Sequence, residues 1–199
     1  MNKNILLCGV GGQGTVLASK LIASAAMRNN EIVHSAETIG MAQRGGSVTS
    51  HVRIGANASS PLIPYGSADF ILAFEPAEAV RNLNYLKKDG IVIVNSVPVK
   101  PVTESLSSTG YDGTEMIEYL KKKFKTVIVV NAEEICREIG SSKVFNVAIL
   151  GVAVGTGKTG LLKENVISEI ELRVKENFRE INLRAFEKGE QIGAKYEIN

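Results

Sequence analysis

The chain has 199 residues, of which 44% are hydrophobic and 22% charged, with a formal net charge of +2. That size suits one α/β domain, or one such domain with a helical extension, and it is enough to bury a real core. The small net charge, the few aromatics and the absence of Trp argue against a basic, base-stacking nucleic-acid binder.

From the amino terminus, "NILLCGV" (4–10) reads as a short buried strand ended by glycines. "TVLASKLIASAAMRN" (15–29) reads as a helix, with Leu17, Leu21, Ile22 and Ala25 at helical spacing. "EIVHSAE" (31–37) is a second strand, so the chain opens as a doubly wound fold does. The link from there to a third strand, "SVTSHVRIG" (47–55), is too short to be a comfortable helical crossover. The third strand is therefore either antiparallel or reached through an irregular loop.

"ANASSPLIPYGS" (56–67) is a loop and "DFILAFE" (69–75) a strand. "PAEAVRNLNYLKK" (76–88) predicts a helix with Pro in its first turn, ended by Gly90, and "IVIVN" (91–95) a buried strand. After a long loop at 96–113 come a helix at 114–124, a strand at 125–131 and a short helix at 132–140 closed by glycine. Lys121, Lys122, Lys123 and Lys125 read as the solvated end of a helix. Beyond 143 the strand signals stop: an apolar helix (143–155), an amphipathic one (163–178) and a frayed one (182–197) are expected. The expected fold is thus α/β and Rossmann-like, a doubly wound, mostly parallel or mixed sheet with helices on both faces and a helical C-terminal extension. Residues 1–199 read as one domain, an α/β core over 1–142 with the helices of 143–199 packed on it.

Three stretches carry candidate chemistry. "GVGGQGTV" (10–17), taken with Gly9, has the G-x-G-x-x-G spacing between a strand and a helix. Its glycines let the backbone turn tightly and let an anion approach the helix N-terminus. Glu37, at the end of the second strand, could meet a ribose, as a dinucleotide site requires. Any doubly wound fold also needs small residues at this turn for packing, so the spacing marks an anion site without naming a cofactor. "ETIGMAQRGGSV" (37–48) sets Gln43 and Arg44 beside two glycines on a loop expected at the same sheet edge; the Arg44 fork suits a carboxylate or a phosphate. "GVAVGTGKTG" (151–160) mimics a phosphate loop but fails in register, with Val152 where glycine is needed, and follows a helix instead of a strand.

His34 and His51 lie in strands without metal-spaced partners and read as packed. Cys8 and Cys136 show no C-x-x-C spacing, so this chain alone is expected to hold neither an iron–sulfur cluster nor a structural zinc. The apolar start is too short for a signal peptide, and no apolar run has the length to span a bilayer. A cytoplasmic protein with reduced thiols, and no membrane association, is expected.

Together, "CGVGGQGTVLASKLIASAA", "SAETIGMAQRGGSVTSHVRIG", "ADFILAFEPAEAVRNL", "KVFNVAILG" and "INLRAFEKG" resemble the small (beta) subunit of indolepyruvate:ferredoxin oxidoreductase, within the wider pyruvate/2-oxoacid:ferredoxin oxidoreductase gamma-type domain family. The resemblance runs nearly end to end. It implies a subunit that is inactive alone. The large partner would carry thiamine diphosphate and iron–sulfur clusters, and the complex would decarboxylate an aryl 2-oxoacid, form an acyl-CoA and reduce ferredoxin. Backbone N–H groups at Gly11, Gly12, Gln13 and Gly14 would then face an anion such as a coenzyme A phosphate, with Gln13 also reaching the subunit interface. The loop Met41, Gln43, Arg44, Gly45 and Gly46 would meet substrate, coenzyme A or the partner chain. No residue of this chain is assigned to catalysis, and the isolated subunit could self-associate through apolar surface its partner would cover. The competing reading is a stand-alone NAD- or FAD-binding oxidoreductase or nucleotide-sensing module.

Overall fold

A computed structural model describes residues 1–37, 44–99 and 110–196. Six strands form one sheet: β1 (Lys3–Val10), β2 (Val33–Glu37), β3 (Ser47–Ile54), β4 (Ala68–Ala73), β5 (Leu86–Asn95) and β6 (Thr126–Val130). Their order is β2-β3-β1-β4-β5-β6. β1, β4, β5 and β6 run parallel, whereas β3 is antiparallel to both β1 and β2. The short link before β3 thus resolves as an antiparallel strand wedged between β2 and β1, and the sheet is mixed.

Residues alternate faces along a strand, and the core divides accordingly. Ile5, Leu7, Phe70, Leu72, Ile91 and Ile93 point to one face, under α1 (Thr15–Arg28) and the C-terminal helices. Leu6, Cys8, Ile71, Ala73, Val92 and Val94 point to the other, under α2 (Pro76–Arg81) and α3 (Thr114–Lys123). Such doubly buried strands read as continuous apolar runs, which is why they were visible in the sequence.

The remaining helices are α4 (Ala132–Ile139), α5 (Phe145–Gly155), α6 (Lys163–Arg173) and α7 (Glu176–Ala194). α5 is buried along nearly its whole length because it lies between the sheet and α7. The two helices meet through glycines on both sides. A Cβ at Gly151 or Gly155 would overlap the carbonyl oxygens of Phe186 or Glu190, and one at Gly189 or Gly193 those of Ala148 or Val152. Two small-x-x-x-small faces therefore let the backbones approach, the same geometry that draws helices together in membranes.

Three expectations need correction. The helix expected over 76–88 stops at Arg81; a single 3-10 turn (Leu83–Tyr85) follows, and Leu86–Lys88 already belong to β5. Tertiary pairing overrides the helical pattern here, because Leu86 pairs with Ala68 of β4 and packs beneath Gly90. Gly90 consequently lies inside β5, where it leaves room for that leucine, and does not end a helix. The helix expected over 163–178 breaks at Val174, whose extended backbone ends α6, and α7 runs unbroken from Glu176, earlier than the 182–197 expected.

Candidate functional site

The first glycine turn links β1 to α1. Gly12 (φ 101°) and Gly14 (φ 82°) both adopt left-handed backbone, and Gly14 occupies the N-cap of α1. The turn is stapled from within. Gln13 Oε1 accepts from the Val10 N–H at 2.7 Å, and Gln13 Nε2 donates to the Phe74 carbonyl at 3.1 Å. This side chain thus ties the end of β1 to the end of β4, and its amide is spent inside the chain.

The second glycine loop reaches the same edge. The Gly11 N–H donates to the Gly46 carbonyl at 2.8 Å, and the Gly45 N–H donates to the Gly11 carbonyl at 3.2 Å. Two motifs more than thirty residues apart are therefore clasped backbone to backbone at the carboxyl ends of β1 and β4. Arg44, beside the clasp, is exposed and makes no ion pair among the described residues. Met41 and Gln43 lie outside the described residues. Of the four N–H groups expected to face an anion, two serve the fold: Gly11 binds Gly46 and Gln13 binds Val10 at 3.1 Å.

Acidic residues anchor the clasp from below. Glu78, only 1% exposed, accepts from the Ser47 hydroxyl at 2.6 Å, just past the second glycine pair, and also pairs with Arg81. Glu75, equally buried, caps α2 by accepting from the Glu78 N–H at 3.0 Å and accepts from the Tyr111 hydroxyl at 2.5 Å. Burial, then the Glu75 hydrogen bond, hold the Tyr111 phenol well above its ordinary range, so it stays a donor. Burial, followed by the fields of Glu78 and Glu75, likewise pushes the Cys8 thiol well up. Glu75, Glu78 and Tyr111 were not among the expected site residues. The signal for the first two was the acid–Pro–x–acid spacing at 75–78, a cap followed by Pro at the first helical position.

Beside the turn lies a cleft of about 330 Å³ lined by Gln13, Asn95, Val97, Ala132, Cys136 and Phe145. Asn95 shapes its floor, donating to the Phe74 and Val97 carbonyls (3.3 and 3.0 Å) and accepting from the Ala132 N–H at 3.3 Å. Burial raises the Cys136 thiol, partly offset by a backbone hydrogen bond at Val144.

The geometry does not favour the dinucleotide reading. β3 separates β2 from β1, which displaces Glu37 by one further strand spacing, about 4.8 Å, from the turn it would serve. Its carboxylate instead accepts from the Ser19 hydroxyl of α1 at 2.8 Å. Over the helix N-terminus, the Asn146 side chain of α5 donates to the Gly14 carbonyl at 3.1 Å and fills the space where a Cβ at Gly14 would sit. An iron–sulfur cluster does not fit either. Cys8 points to one face of the sheet and Cys136 belongs to the core of the other. No helix among the described residues is long and apolar enough to cross a membrane.

The fold and clasp define a class: a mixed α/β domain whose two glycine motifs lock together at one sheet edge. The chain belongs to the pyruvate ferredoxin/flavodoxin oxidoreductase family, which it matches over residues 4–192. It is 42% identical over 190 residues to the indolepyruvate oxidoreductase subunit IorB of Archaeoglobus fulgidus, covering 95% of this chain and 94% of that protein. It is 40% identical to the subunit of the same name from Methanothermobacter thermautotrophicus, over 95% and 96% of the two chains. Its fold is that of the gamma subunit of a keto/oxoacid ferredoxin oxidoreductase from Geobacter sulfurreducens, with a TM-score of 0.71, 24% identity and 97% and 99% of the two chains covered. These matches support a small subunit of a 2-oxoacid:ferredoxin oxidoreductase, and a stand-alone dinucleotide enzyme is not favoured.

Proposed function

We propose that this chain is the small, cofactor-free subunit of a cytoplasmic 2-oxoacid:ferredoxin oxidoreductase that acts on indolepyruvate or another aryl pyruvate. Its relatives named as indolepyruvate oxidoreductase subunits support the substrate class. In the assembled enzyme, thiamine diphosphate and iron–sulfur clusters on a larger partner supply decarboxylation and electron transfer to ferredoxin, with coenzyme A as acyl acceptor. Residues 1–199 act as one domain; the shared apolar core of α1, α5, α7 and the sheet supports this.

The observation that carries the reading is the clasp between Gly11 and the Gly45–Gly46 pair. It presents Arg44 at the carboxyl edge of the parallel strands, where ligands of open α/β sheets bind. Arg44 would engage the oxoacid carboxylate, a coenzyme A phosphate or the partner's surface, and the loop Met41 to Gly46 would contribute to that contact. Gln13, Gly11, Gly12 and Gly14 hold the presenting edge in shape, and among the described residues the N–H groups of Gly12 and Gly14 are the two the turn leaves over for an anion.

The test is Arg44→Ala in the complete complex. A raised KM for oxoacid or coenzyme A, with kcat little changed, is expected if Arg44 binds ligand. Loss of assembly would assign Arg44 to the interface. Unchanged kinetics in an intact complex would remove Arg44 from both roles.

A further inference from the structure

The opposite edge of the sheet carries a second feature. At the amino-terminal ends of β1, β4, β5 and β6, four neighbouring strands, lies a cleft of about 810 Å³. Six lysines line it: Lys3 in β1, Lys87 and Lys88 in β5, Lys123 and Lys125 flanking the start of β6, and Lys158 beyond α5. Two carboxylates share it. Asp69 is already engaged, accepting from the Asn4 N–H at 2.7 Å and pairing with Lys87 at 2.6 Å. Asp89 is the other. Among the described residues, Lys87 is the only lysine of the cleft in an ion pair. Taking these six lysines and two aspartates from the chain's 23 basic and 21 acidic residues leaves the remainder net negative. The positive charge of the molecule is thus concentrated here.

We propose that this cleft is a docking surface for an acidic segment of another protein. Its chemistry selects that class over other anions. The cleft spans four strand ends, about 14 Å at the usual strand spacing, which is too broad for one phosphate and matches an extended run of roughly four residues. α3 ends in the cleft at Lys123, and among the described residues no first turn of a helix lines it to offer N–H groups to a phosphate. The cleft has no arginine, and its one aromatic, Phe70, is 1% exposed, so there is no platform for stacked bases. Spaced, flexible ammonium groups along the strand ends suit carboxylates along a peptide.

The experiment measures binding of a fluorescein-labelled poly-glutamate peptide to the full chain by anisotropy, at about 50 and about 300 mM salt. Binding is expected at low salt, weakened severalfold at high salt. The paired substitution Lys123→Glu with Lys125→Glu should weaken it about tenfold further. The same charge change on exposed lysines elsewhere, Lys20→Glu with Lys195→Glu, should weaken it less than twofold; all four side chains are exposed, and circular dichroism checks the fold. No binding at low salt, or equal losses from the two pairs, would overturn the proposal. So would an oligothymidylate of equal charge, or tripolyphosphate, that binds more tightly than the peptide with the same dependence on Lys123 and Lys125.

Discussion

Gly11 and Gly46 form a backbone hydrogen bond of 2.8 Å between two loops that share no secondary structure. Gly11 also accepts from Gly45, whose φ of 83° lies in the left-handed region. A Cβ at Gly45 would meet nothing within 4 Å. Gly45→Val therefore tests backbone conformation without steric overlap. A β-branched residue forced into this region costs about 1–3 kcal/mol. We expect chemical denaturation to show a loss of that size, and a larger effect on assembly with the partner than on folding.

Gln13 provides the second hold on the same turn. Replacing it with Leu leaves the Val10 N–H and the Phe74 carbonyl without this partner in a part-buried place. An unsatisfied buried group costs about 1–3 kcal/mol, so Gln13→Leu should lower unfolding stability by that much. Gln13→Glu keeps the acceptor for Val10 but sets a carboxylate oxygen against the Phe74 carbonyl, and should also be less stable than the parent. Equal stabilities of all three proteins would show that the staple is idle.

The crossing of α5 and α7 makes the sharpest steric prediction. Gly151→Val would drive its side chain into the Phe186 carbonyl, a backbone atom that cannot swing aside. Overpacking of this kind costs about 3 kcal/mol or more, so poor soluble yield or a steep fall in Tm is expected. Gly140→Ala is the control. Its φ of 84° brings strain but its Cβ has open space, so a loss of about 1 kcal/mol is expected.

Among the described residues, Glu169 and His51 both contribute to the pH response. Glu169 on α6 is buried, which by itself raises its carboxyl, but Arg28 and Arg173 outweigh this and hold it below its ordinary value. Its stabilising contribution is therefore complete above the ordinary carboxylate range and is lost as pH falls through the depressed folded value. Arg28→Met should make the acid-unfolding midpoint rise. His51 behaves differently: burial lowers its pKa from 6.5, and its Nδ1 accepts from the Ile63 N–H at 3.2 Å. Below pH 6.5 the unfolded chain takes up a proton that the folded one resists, so stability declines from that point downward. Urea titrations of His51→Gln between about pH 7.5 and 5.5 should show a flatter decline than the parent; an identical slope would remove His51 as the source.

Particular elements show what the sequence could reveal. β1, α1 and the turn between them were legible because strand burial, glycine spacing and helical periodicity agree locally. The helix over 76–88 was overextended because residues 83–88 carry helix-compatible side chains, while the pairing of Leu86 with Ala68 is a nonlocal fact. The same is true of the strand order. Nothing near Glu37 announces that β3 will slip between β2 and β1, yet that placement removes the dinucleotide geometry. The clasp itself was half visible. Both glycine motifs stood out and were expected at one edge, but their mutual hydrogen bonds and the support from Glu78 through Ser47 are products of folding. The glycines of α5 and α7 looked like helix-weakening residues in isolation and acquire their purpose only where the helices cross.

The most direct test of the central claim is purification of the tagged chain from its native source under gentle conditions, followed by analysis of what accompanies it. The account predicts a larger polypeptide in stoichiometric amount, bearing thiamine diphosphate and iron–sulfur clusters, with 2-oxoacid-dependent reduction of ferredoxin by the pair and none by the chain alone. Recovery of the chain without such a partner, together with micromolar binding of NAD, NADP or FAD in calorimetry, would contradict it.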